Sequence, residues 1–75
     1  MSTHQALIDV LECLVDLVPT EDTCVDTRQR TIDLPLLKIR IFVYDEIFLF
    51  DQRVHKVFSL KSIFHLQDWI ITNRL

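Results

Sequence analysis

The sequence predicts an α+β fold: a small antiparallel sheet of two to four strands, flanked by an amphipathic helix at each end. Three observations carry this prediction. Apolar residues recur at helical spacing near both termini. The segment between them alternates with a period of two. The resulting order, α-β-β-(β)-α, runs its strands together between helices, which is the signature of α+β with antiparallel pairing. The 75 residues are read as one domain, 1–75.

The first helix is read over 3–18. Ser2, followed three residues later by Gln5, fits a capping box, and Pro19 stops the run. Leu7, Val10, Leu11, Leu14 and Val18 form one stripe, widened by Ala6, Ile8, Val15 and Leu17. Gln5, Asp9, Glu12 and Asp16 converge on the opposite side. The apolar arc covers more than half the circumference, wider than a helix lying on one surface requires.

PTEDTCVDT (19–27) reads as a polar connection, and RQRTIDL (28–34) as a short edge strand ended by Pro35, which cannot donate to a ladder. From Leu36 the pattern is β. Leu37, Ile39, Ile41 and Val43 fall on one side; Lys38, Arg40, Phe42 and Tyr44 fall on the other. The stretch IFVYDEIFLF (41–50) then sets eight apolar or aromatic side chains around Asp45 and Glu46. Either 36–50 is one long bent strand, or Asp45-Glu46 turns the chain and 47–50 returns as a partner. Lack of Asn-Gly or Asp-Gly favours the single strand, although its length exceeds the usual 3–10 residues. A turn at DQR (51–53) and a strand RVHKVF (53–58) follow. Ser59 is read as the N-cap of a second helix, Leu60–Asn73, whose stripe is Leu60, Ile63, Phe64, Leu66, Ile70 and Ile71.

Composition points to association. Hydrophobic residues make up 49% of the chain, yet a chain this short buries only roughly 60–65% of its unfolded surface. Apolar surface must therefore reach the outside, where it marks an association site. A twofold homodimer is the expected solution, through the aromatic sheet face or the helices.

Glycine is absent, where average usage would supply about five. That excludes a P-loop, a Rossmann turn and a nucleophile elbow. It also implies turns that avoid left-handed backbone. Cys13 and Cys24 read as reduced thiols. The first apolar segment carries Asp9, Glu12 and Asp16, which argues against a signal peptide. No run approaches the roughly 20 apolar residues of a membrane span. The expectation is a cytoplasmic protein that does not engage membranes. Residues 1–26 hold six acids and no Lys or Arg, so all eight bases lie beyond them.

Catalytic and metal chemistry find no support. His4, Cys13, Cys24, His55 and His65 lack zinc-ligand spacing, so no metal or cofactor is expected. Cys13 sits among apolar residues, and the acids around Cys24 suppress its thiolate. Asp45 and Glu46, adjacent on a strand, point to opposite faces and share no reacting centre. The chain is therefore read as non-enzymatic.

Three binding surfaces remain. Phe42, Tyr44, Phe48, Phe50 and Trp69 are the candidate interface. Asp9, Glu12 and Asp16 form an acidic face for a basic second protein, or simply a solvated helix side. Arg28, Arg30, Lys38 and Arg40, interleaved with Phe42 and Tyr44, are candidate nucleic-acid contacts. The expected role is a small regulator, adaptor or inhibitor acting through protein–protein contacts. By fold-level analogy it suits an accessory protein of a phage, virus or mobile element; a nucleic-acid-binding regulator is the alternative.

Overall fold

The computed structural model describes residues 3–73. Helix α1 spans Thr3–Leu17; strands β1 (Cys24–Asp26), β2 (Thr31–Leu34), β3 (Ile39–Val43), β4 (Ile47–Asp51) and β5 (Lys56–Leu60) follow; helix α2 spans Ile63–Asn73. The strands form one antiparallel meander in the order β1-β2-β3-β4-β5. The α+β class and the flanking helices agree with the sequence. The capping box expected at Ser2 lies outside the described residues.

The sheet has five strands, more than the two to four expected, for two reasons. The polar connection contains β1, which pairs with β2 from Cys24↔Asp33 to Asp26↔Thr31. That pairing makes β2 an interior strand, not an edge. The stretch 36–50 is not one strand but a hairpin. Tyr44 N–H donates to Glu46 O at 3.1 Å, and β3 and β4 pair from Val43↔Ile47 back to Ile39↔Asp51.

The absence of glycine does not keep the turns out of left-handed backbone. Three hairpins use four-residue loops, 27–30, 35–38 and 52–55. The last residue of each has positive φ: Arg30 at 54°, Lys38 at 57° and His55 at 54°. Each such residue costs roughly 1–2 kcal/mol through its Cβ. Aspartates offset part of this. Asp26 Oδ1 accepts the Arg28 and Gln29 N–H groups at 2.9 and 3.1 Å, and Asp51 Oδ1 accepts Arg53 N–H at 3.0 Å.

Helix α2 starts later than the sequence suggests, because β5 runs through Ser59 to Leu60. Ser62 takes the capping place: its Oγ accepts His65 N–H at 3.4 Å. Ser59 instead donates its hydroxyl to Glu46 Oε2 at 2.8 Å, across the β4–β5 edge of the sheet.

Register decides which sheet face is covered. Ile32, Leu34, Ile39, Ile41, Val43, Ile47, Leu49 and Leu60 share one face and are buried. They join Leu7, Val10, Cys13 and Leu14 of α1 and Leu66 and Ile70 of α2 in a single core. Both helices therefore lie on the same face. Asp51 is the one charged side chain buried among the described residues. It is held by Arg53 through Nε at 3.0 Å and Nη2 at 2.9 Å. Among the described residues no helix is long and apolar enough to cross a membrane.

Candidate functional site

The face opposite the helices is built from two cross-strand rows. Asp26, Thr31, Phe42, Phe48 and Ser59 line up in one; Cys24, Asp33, Arg40, Phe50 and Val57 line up in the other. Phe42 and Phe48 are direct partners, and Phe50 sits one step along β4 between Arg40 and Val57. The three phenylalanines are half-buried by one another and their neighbours, whereas Val57 is 62% exposed. No helix covers them. Among the described residues, this open face of the sheet has no second layer.

Of the aromatic residues singled out in the sequence, the structure brings three together and separates two. Tyr44 stands at the end of the sheet, tied to the β1–β2 loop. Its hydroxyl donates to Gln29 O at 3.1 Å, and the Arg30 guanidinium lies 5.6 Å over its ring. Trp69 is on the helix side, packed on Phe58 with ring centroids 5.6 Å apart. The sheet lies between Trp69 and the open face. Val57 belongs to that face too, which RVHKVF does not reveal by itself, because alternation without a register leaves the face undetermined.

The candidate bases do not form one surface. Arg28 and Arg30 belong to the β1–β2 loop at one end of the sheet; Lys38 belongs to the β2–β3 loop at the other. Arg40 lies on the open face but carries its own carboxylate, Asp33, with Nη2–Oδ2 at 3.8 Å. Asp33 Oδ1 is buried with no hydrogen-bond partner among the described residues. A concavity of about 540 Å³ beside this pair is bordered by Cys24, Asp26, Thr31 and Phe42. A second, of about 640 Å³, is lined by Lys38, Arg40 and His55 together with Phe50 and Asp33.

The acidic residues of α1 are on its outer side. Glu12 and Asp16 are exposed, and half-buried Asp9 accepts Gln5 Nε2–H at 2.9 Å. They are not a purely polar face: Glu12 and Asp16 border a shallow cleft with Ile8, Leu11 and Val15. The two thiols stand apart. Cys13 is in the core, where burial pushes its pKa up, Gln67 opposes that by hydrogen bonding and Asp16 adds to it. Cys24 is exposed on the open face, with the sheet between them. Among the described residues no three His, Cys, Asp or Glu side chains cluster closely enough to hold a metal ion.

No protein-family model, curated protein or solved structure matches this chain. The functional reading rests on the geometry.

Proposed function

We propose that this chain is a non-enzymatic binding module, a small regulator, adaptor or inhibitor that works through protein–protein contacts as a homodimer. Its setting is cytoplasmic, and its size and build suit an accessory protein of a phage, virus or mobile element. The observation that carries the reading is the open face, where Phe42, Phe48, Phe50 and Val57 have none of the described elements above them. An apolar patch rimmed by Asp33, Arg40 and Thr31 has the make-up of a contact surface: aromatic centre, polar border. The Glu12 and Asp16 side of α1 supplies a second contact for a basic partner.

Two measurements test this. Light scattering behind a sizing column should give a dimer at both low and high salt, since apolar burial is insensitive to screening. Capture of a partner from the expressing cell should be lost in Phe48→Glu. A monomer at both salts removes the homodimer, and capture unchanged by Phe48→Glu removes the open face.

A second reading has one observation in its favour: Lys38, Arg40 and His55 line one concavity with Phe50 and Asp33. That arrangement suits a stacked base with its phosphate. Fluorescence anisotropy with single-stranded RNA and DNA at low salt decides it, because electrostatic affinity is strongest there. No binding under those conditions ends this reading.

A further inference from the structure

The two edges of the sheet differ in what they leave unpaired. Two hydrogen bonds at opposite ends of the β3–β4 hairpin fix its alternation: Gln52 N–H to Lys38 O at 2.9 Å, and Tyr44 N–H to Glu46 O at 3.1 Å. Bonded and non-bonded pairs alternate in an antiparallel ladder. Phe48 and Phe50 therefore bond towards β3, while Ile47, Leu49 and Asp51 turn their backbone groups towards β5. Their partners on β5 are Leu60, Phe58 and Lys56. Val57 and Ser59 are left with both N–H and C=O directed away from the sheet. At the other edge Val43 N–H bonds Arg30 O at 2.9 Å, and the same alternation leaves only Val25 of β1 facing outward.

The edges also differ in charge. β1 is three residues long and sits among Glu21, Asp22 and Asp26, so two copies meeting there would repel. β5 is five residues long, KVFSL, with Lys56 its only charge. Nothing in it guards the edge except that lysine.

We propose that β5 is the seam of the homodimer: two copies pair β5 antiparallel about a twofold axis between their Phe58 residues. This rests on the homodimer reading above. In this register Val57 faces the partner's Ser59 and Ser59 faces the partner's Val57. Each pair exchanges two backbone hydrogen bonds, so every outward group of β5 is satisfied by the same group set on the copy. Phe58 meets the partner's Phe58 as a non-bonded pair, about 4.5 Å apart at Cα. Because Phe58 already packs on Trp69, the two pairs merge into one cluster of four rings on the helix side. A twofold axis at Val57 or at Ser59 would instead set the other residue opposite His55 or Lys61 and place no aromatic pair at the centre. That match to itself, in backbone and side chains together, points to a second copy as the occupant. The two sheets become one of ten strands, with the two open faces continuous on one side.

Val57→Pro is the direct test, since proline on an edge removes an outward N–H without breaking the inner ladder. The wild type should run as a dimer and folded Val57→Pro at half that mass, while Val25→Pro, at the outward position of the other edge strand, stays dimeric. In the wild-type dimer the Val57 and Ser59 amides should exchange with deuterium about 100-fold more slowly than after dilution to monomer. A folded Val57→Pro that keeps the dimer mass overturns the seam and leaves the homodimer standing. A wild type that is monomeric overturns both. If Val57→Pro does not fold, fast exchange of Val57 and Ser59 in the wild-type dimer overturns the seam.

Discussion

The two faces of the sheet are written in the same strands but are covered differently. On β4, Ile47 and Leu49 point into the helices and are almost wholly buried, while Phe48 and Phe50 between them stay half-covered. Both faces are apolar, so hydrophobicity alone does not separate core from surface here. The difference lies in the helices. Both fall on one face, and they bring Leu7, Val10, Leu14, Leu66 and Ile70 with them. A side chain in this sheet is buried when a helix sits over it, and left partly in water when none does.

The comparison is broken most directly by trading side chains between neighbours. Leu49→Ala, at a position with no exposure, should cost about 2–5 kcal/mol by opening a cavity, read from the midpoint of urea unfolding. Phe48→Ala, one residue away on the open face, should cost less, about 1–2 kcal/mol, because part of its ring is already in water. Equal losses at the two positions would mean that the open face is covered after all.

Asp51 sharpens the contrast, since it is the buried charge of the covered side. Its carboxyl is held below the usual range, chiefly by the Arg53 side-chain hydrogen bond, with burial opposing and the Arg53 N–H assisting. A depressed folded pKa contributes stability above the unfolded value, about 3.9, and loses it as pH falls through the folded value. Asp51→Asn should thus be less stable than wild type at pH 7, by less than Leu49→Ala because the partner Arg53 is partly in water. The gap should close in acid, as measured by thermal unfolding from pH 7 to pH 2. The smallest effect belongs to the loops. His55→Gly should gain a few tenths to about 1 kcal/mol by relieving the Cβ clash of its left-handed backbone, seen as a modest rise in Tm.

The helices were legible because their 3.6-residue period is carried by many residues, Leu7 to Val18 and Ile63 to Ile71. The β3–β4 hairpin was not, and the reason is arithmetic. Its loop, Tyr44-Asp45-Glu46, has three residues, so Val43 and Ile47 keep the same parity and the same face. The alternation runs unbroken through the turn, and a period-two pattern cannot report a reversal that preserves it. The strand β1 was hidden for another reason: its three residues are all exposed, so no burial pattern marks them. The left-handed loop residues carry no signal either, because Arg, Lys and His are not the usual occupants of that backbone region. For the site, the phenylalanines were visible as a group but their company was not. Register adds Val57 to them, and the packing of α2 on the other face of the sheet separates Trp69.

Every strand of the meander pairs with its neighbour in sequence, so the sheet can assemble hairpin by hairpin, and low contact order of this kind favours rapid folding. The exception is α1, which packs against α2 from the far end of the chain. During synthesis α1 emerges first, and its apolar stripe has no complete docking site until α2 has left the ribosome, several seconds later at ordinary elongation rates. The vulnerable moment for this protein is that interval, when Leu7, Val10 and Leu14 wait in solvent for a layer not yet made.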